Sequence, residues 1–148
     1  MVKITLPDNS IREFPAAVTG AEVAASIGAG LAKAAIAMKV DGQQRDLSYS
    51  IASDARLEIL TSKNDEGLDI MRHTLTAQVL AKAVKELWPD AKLAIGPTIE
   101  NGFYYDVELD SHAISIDDLP KIEAKMREIL ATAQPVTREM WALSLIHI

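Results

Sequence analysis

The side chains best suited to chemistry lie around one short stretch, His73-Thr-Leu-Thr-Ala-Gln78, followed by Lys82, Lys85, Gly96 and Tyr104. Within this stretch only His73 carries a side chain of the acid–base kind, since neither Thr nor Gln titrates near neutral pH. Thr74 and Gln78 are four residues apart and on an α-helix would share a face. Their hydroxyl and carboxamide can position a water or a substrate hydroxyl, but neither can serve as a base. His73 and Gln78 are five apart, about 140° around an α-helix, and on that geometry would not share a face. Lys82 and Lys85 can meet a phosphate, although lysines on a helix face more often only solvate it. Tyr104 offers a ring that can stack on a base, and Gly96-Pro97 is first of all a turn pair.

Other chemistries are excluded. The chain has no cysteine, which removes disulfides, thiolate nucleophiles and Cys-ligated zinc together. His73, His112 and His147 lie in separate regions and make no ligand cluster by spacing. There is no Walker A run, GxGxxG fingerprint, GxSxG elbow or HExxH helix. A net charge of −6 gives no broad basic field for phosphate, so any nucleic-acid contact has to be local.

The elements that position these residues fall into two parts. The chain has 148 residues, 49% apolar and 24% charged, a globular balance for one domain or two small ones. Val2, Ile4 and Leu6 alternate with polar residues as in a half-buried strand, Pro7 to Ser10 form a turn, and Ile11 to Phe14 a second strand. Thr19 and Glu22 make a capping-box pattern, with Val23, Ala24 and Ile27 on one helical face that stops at Gly28. Ile36, Met38 and Val40 alternate again, Asp41-Gly42 signals a hairpin, and Leu57 with Ile59 supplies a last strand. A small α+β sheet with a helix on one face, as in a β-grasp fold, buries those faces compactly. Thr61 to Gly67 is polar and reads as a linker, residues 63–68 forming the boundary.

After it the period becomes helical. Leu75, Val79, Ala83 and Leu87, with Leu80, Val84 and Trp88, form a wide apolar stripe ended by Pro89. An Asn101-Gly102 turn and the alternation Phe103, Tyr105, Val107, Leu109 predict a hairpin. Asp117 and Asp118 before Pro120 announce another helix, with Leu119, Ile122, Met126 and Ile129 inward. From Lys63 onward nine Lys and Arg stand against fourteen Asp and Glu, so −5 of the −6 lies in this half.

Two runs carry a resemblance. Ile70-Met-Arg-His-Thr-Leu-Thr-Ala-Gln-Val-Leu-Ala-Lys-Ala-Val-Lys-Glu-Leu-Trp-Pro, then Ala94-Ile-Gly-Pro-Thr-Ile-Glu-Asn-Gly-Phe-Tyr-Tyr-Asp-Val, is similar to the first half of the editing domain of bacterial threonyl-tRNA synthetases. The preceding unit, with Val40-Asp-Gly and Asp46-Leu-Ser, resembles the ubiquitin-like TGS domain that these enzymes carry first. The resemblance covers roughly residues 1–141. It implies an α+β protein with a TGS domain at 1–62, a linker at 63–68, and an incomplete editing domain at 69–142. The implied parent is a cytoplasmic homodimer that joins threonine to tRNA(Thr) using ATP with magnesium and zinc in a further catalytic domain, and hydrolyses mischarged seryl-tRNA(Thr). A missing methyl discriminates by only about 1–3 kcal/mol, hence the second sieve.

The family's editing cleft carries a His-x-x-x-His pair and a later Cys- and His-bearing motif. Aligned on Val79-Leu80-Ala81, those two His positions are Thr74 and Gln78 here, with His73 displaced by one. The resemblance thus makes Thr74, Gln78 and His73 the editing-cleft candidates, able to hold a water or the hydroxyls of a terminal adenosine. It makes Tyr104, Lys82, Lys85 and Gly96 the tRNA-binding ones, facing the tRNA 3′ end.

Two alternatives stay open. One is a non-catalytic TGS-type binding module of a regulatory GTPase or alarmone enzyme, which gives residues 93–107 no purpose. The other is a freestanding trans-editing hydrolase. The last six residues, Leu143-Ser-Leu-Ile-His-Ile, read as the translation of a transposon-derived sequencing-library end, a non-native tail over 143–148. Neither an uninterrupted apolar leader nor an apolar run long enough to span a membrane is expected.

Overall fold

A computed structural model describes residues 1–110, 113–137 and 139–143; His112 and most of the expected tail, including His147, lie outside the described residues. In chain order the elements are β1 (Val2–Thr5), β2 (Ile11–Phe14), β3 (Val18–Thr19), α1 (Gly20–Ile27), α2 (Ala29–Ala34), β4 (Ala35–Val40), β5 (Gln43–Arg45), β6 (Ser50–Ile51) and β7 (Ala55–Thr61). There follow α3 (Asp65–Thr74), a π-helical segment (Leu75–Leu80), α4 (Ala81–Leu87), β8 (Lys92–Leu93), β9 (Thr98–Ile99), β10 (Gly102–Phe103), β11 (Val107–Glu108), a 3₁₀ turn (Ile116–Asp118) and α5 (Leu119–Ala131). The chain divides into two compact units, Met1–Ala77 with Ile95–Tyr105, and Gln78–Ala94 with Asp106 onward.

In the first unit a five-stranded sheet runs in the order β2-β1-β7-β4-β5, with β1 parallel to β7 and every other neighbour antiparallel. This is the mixed sheet expected of a β-grasp unit. Val2, Ile4, Leu6, Val18, Val23, Met38, Ile51 and Leu57 form its core. Burying side chains of this size against water contributes roughly 1.5–3 kcal/mol each before entropy is counted. The helix between strands starts as the sequence predicts: the Glu22 N–H donates to Thr19 Oγ1 at 3.3 Å, and the Thr19 N–H donates to Glu22 Oε2 at 2.8 Å. Asp41 and Gly42 both have positive φ, 50° and 80°, and connect Val40 to its partner Gln43 in the primed-turn geometry that follows strand twist.

The short helix α2, which no alternation announced, fills the Ala-rich stretch after Gly28 and buries none of its residues. The alternation along β4 and β7 also breaks. A register shift between Ala35 and Ala37 leaves Ala37 opposite Leu60, and both are buried outside the main core cluster. Helix α3 packs on β4 and β7 and supplies the cover for them.

Within the span 63–68, expected as a linker, α3 begins at Asp65 and is tied to the sheet end. Asn64 Oδ1 accepts from the Thr61 N–H at 2.9 Å and from Thr61 Oγ1 at 3.2 Å. Gly67 is buried so closely that a Cβ there would sit 2.1 Å from the Thr61 carbonyl oxygen. Lys39 and Glu66 form an ion pair across the same contact.

The second unit pairs α4 with α5 and β8 with β11. The predicted hairpin over 101–109 is replaced by two separate pairings. Phe103 pairs with Thr98 within the first unit, whereas Val107 pairs with Leu93 within the second. The two-residue turn lies at Glu100-Asn101, one residue earlier than expected. The 3₁₀ turn that leads into α5 starts through a capping box, the Ser115 N–H donating to Asp118 Oδ2 at 2.9 Å. Of its four expected inward residues only Ile122 is buried; Met126 and Ile129 are half-buried and Leu119 is exposed.

Candidate functional site

The candidate residues of the first unit gather where the C-terminal end of α3 meets the β9–β10 hairpin. Arg72 fastens the two, its Nη1 donating to the Glu100 carbonyl at 2.7 Å. Thr76 is fully buried, and its hydroxyl donates to the Arg72 carbonyl at 2.8 Å. A hydroxyl bonded to the carbonyl four residues back competes with the helix ladder and bends it. The ladder changes at this point, since Leu75–Leu80 is π-helical rather than α-helical.

Gly96 lies beneath the same spot. A Cβ on it would come within 2.3 Å of Tyr105 Cδ2 and 2.9 Å of Thr76 Cγ2, so its lack of a side chain lets the chain pass between ring and helix. Its role in the structure is packing. Tyr105 is half-buried over it, whereas Tyr104 is 52% exposed and free to stack. His73 is exposed and Thr74 half-buried.

Gln78 belongs to the second unit and is exposed. There, both lysine candidates have structural partners. Lys82 pairs with Glu86 one turn on at 3.0 Å, and its ammonium holds the Glu86 carboxyl below the ordinary carboxylate range. Lys85 donates to the Pro89 carbonyl at 2.7 Å and the Ala91 carbonyl at 2.9 Å, tying down the chain that leaves α4. Trp88 ends that helix with the Lys121 ammonium 5.1 Å from its ring centre.

The sequence reading missed the π turn and, with it, the buried Thr76 and the anchoring Arg72. The assumption of 100° per residue fails across Leu75–Leu80, so Thr74 and Gln78 are no longer related by one regular α-turn. The only available signal was a threonine, Thr76, interrupting an otherwise apolar inner face. Among the described residues no group of three or more His, Asp or Glu could hold a metal ion, and no helix is long and apolar enough to cross a membrane.

The TGS domain family matches residues 2–61. Similar proteins include the threonine–tRNA ligases of Acidiphilium cryptum, 53% identical over 141 residues, and of Aromatoleum aromaticum and Cupriavidus pinatubonensis, each 57% identical over 141 residues. Each of these matches takes in 95% of this chain and 22% of the relative, so the chain spans about a fifth of the length of the relatives it matches. The sheet topology and these matches agree: residues 2–61 match the TGS domain family, and the similarity to threonine–tRNA ligases continues beyond them, over 141 residues in all.

Proposed function

We propose that this chain supplies the TGS domain and the first part of the editing region of a threonine–tRNA ligase. Its parent would join threonine to tRNA(Thr) with ATP and clear mischarged seryl-tRNA(Thr), as a cytoplasmic homodimer. The observation that carries this is the continuity of the match: 141 residues at 53–57% identity run through the TGS domain and on across α3, the π segment, both short strand pairs and α5. A TGS module attached to unrelated machinery has no reason to share the second stretch.

The local chemistry agrees with a hydroxyl-reading role. His73 and Thr74 lie at the end of α3, and Tyr104 is exposed beside the β9–β10 hairpin of the same unit. These groups suit a ribose edge and an adenine ring. Among the described residues no group of His, Asp or Glu could hold a metal ion, so the magnesium and zinc of such a parent would be held by other residues.

The test uses a non-hydrolysable 3′-seryl-amino-adenosine titrated into the isotopically labelled chain. Amide shifts should concentrate at 72–78 and 98–104. Shifts confined to the TGS sheet, or none at millimolar ligand, would overturn the reading.

A further inference from the structure

The chain has three asparagines, Asn9, Asn64 and Asn101, and their surroundings set them apart chemically. The Asn64 carboxamide is fixed, its Oδ1 accepting from the Thr61 N–H at 2.9 Å and from Thr61 Oγ1 at 3.2 Å. Asn9 is followed by Ser10, whose N–H is held on Asp8 Oδ1 at 2.9 Å and whose side chain crowds that nitrogen. Asn101 is exposed and is followed by Gly102, which has no side chain to shield its nitrogen. The space around it is open as well, since a Cβ on Gly102 would meet no atom within 4 Å.

The hairpin that carries this pair of residues is weakly closed. Strands β9 and β10 pair through Gly102 with Ile99 and Phe103 with Thr98 alone. Neither turn residue, Glu100 or Asn101, has a positive φ, so the turn lacks the primed geometry that follows strand twist. A hairpin this short is marginal by itself and opens locally. Arg72 of α3, in the same compact unit, ties the turn down through its Nη1 bond to the Glu100 carbonyl at 2.7 Å.

We propose that Asn101 is a site of spontaneous covalent modification, converting in water to aspartate and isoaspartate, and that the isoaspartate form opens the β9–β10 hairpin. Asparagine is among the thermolabile side chains, and here the reacting atoms are neighbours along the chain. The Gly102 backbone nitrogen gives up its proton and attacks Asn101 Cγ. The N–Cγ bond forms, the Cγ–Nδ2 bond breaks, and the amide nitrogen takes the proton and leaves as ammonia, closing a five-membered imide. Water then adds to either imide carbonyl: breaking the new N–Cγ bond gives aspartate, and breaking the original peptide bond gives isoaspartate. Nothing is oxidised or reduced, and water is the sole co-reactant. Isoaspartate routes the main chain through Cβ and Cγ, one atom longer than before. A turn of two residues has no slack for that atom, so Gly102 cannot stay opposite Ile99 while the Glu100 carbonyl stays on Arg72.

The test ages the whole 148-residue chain at mildly alkaline pH and maps its peptides by mass spectrometry. The peptide carrying Asn101 should gain one mass unit and become a substrate for an isoaspartyl methyltransferase. Gly102→Ala, with open space for its Cβ, should convert several-fold more slowly, circular dichroism confirming that it folds. Arg72→Met, which unties the turn, should convert faster than the native chain. Equal rates in native chain and Gly102→Ala, or conversion of Asn9 or Asn64 as fast as Asn101, overturn the site. A rate unchanged in Arg72→Met overturns the role of the tied turn. The isoaspartate fraction, separated by ion exchange, should show faster amide exchange at 99–103 than unmodified chain, while Asn101→Asp, which adds the charge without the extra atom, should not. Native protection in the isoaspartate fraction, or equally fast exchange in Asn101→Asp, overturns the opening of the hairpin by chain length.

Discussion

Gly67→Ala separates a docked helix from a tether by the sign of its effect. In a free or loosely attached helix the change is favourable by about 0.8–1.0 kcal/mol, because alanine costs less backbone entropy than glycine. Here the added Cβ would lie 2.1 Å from the Thr61 carbonyl oxygen, 2.8 Å from its carbonyl carbon and 3.1 Å from its nitrogen. These are backbone atoms of β7, fixed by the sheet and by Asn64, and cannot rotate away as a side-chain tip would. Overpacking of this kind costs about 1–3 kcal/mol and outweighs the propensity gain. For a unit of 60–100 residues each kcal/mol moves the melting temperature by about 4–8 °C. Thermal unfolding followed at 222 nm should therefore show a net loss of up to about 2 kcal/mol, a fall of up to roughly 16 °C, for Gly67→Ala, while Asp69→Ala on the exposed side of α3 should change it little. A rise in melting temperature would refute the docked geometry and restore the reading of residues 63–68 as a linker.

Thr19→Ala should cost about 0.5–2 kcal/mol by removing the α1 cap, read from urea unfolding. The bonds from Thr19 hold the Glu22 carboxyl below its ordinary value of 4.5, so their contribution is present above that value and lost as pH falls through the depressed one. Thr19→Ala keeps the Thr19 N–H bond, the larger cause, and removes the hydroxyl's, so the gap between the two proteins should narrow only modestly below pH 4.5; a gap that widens there would argue against the hydroxyl's bond to Glu22. Lys85→Met keeps the aliphatic stem but frees the Pro89 and Ala91 carbonyls, and faster amide exchange at 88–91 should follow; unchanged exchange would show that Lys85 is not the cap. The 148-residue chain should give no threonine-dependent ATP–pyrophosphate exchange, and measurable exchange would place adenylation chemistry within it.

The parts of the fold legible from the residues are those where one local rule decides. Val2, Ile4 and Leu6 alternate because one sheet face is buried, Asp41-Gly42 turns because both positions take positive φ, and Thr19 with Glu22 caps because both groups reach. Where two neighbours compete, the local rule fails. The alternation from Phe103 to Leu109 looks like one strand, yet Phe103 pairs with Thr98 and Val107 with Leu93, a choice made by distant partners. Polar Thr61 to Gly67 looks like a tether because its docking uses a missing side chain at Gly67 and an Asn64 carboxamide turned on Thr61, neither of which raises apolar content.

The candidate site shows the same limit at its sharpest. Residue types are visible in sequence, and His73, Thr74 and Gln78 were identifiable as groups able to hold a hydroxyl. Their mutual geometry depends on turns per residue, which the usual helical arithmetic takes as constant. Apolar periodicity across 75–88 even supports that assumption, since Val79, Ala83 and Val84 are buried as a regular helix requires. The stripe survives because a single π turn displaces whatever precedes it relative to whatever follows, and the apolar residues lie mostly on the following side. His73 lies on the preceding side. A widened turn is thus what periodicity does not report, and the fully buried Thr76 hydroxyl on the Arg72 carbonyl marks its place.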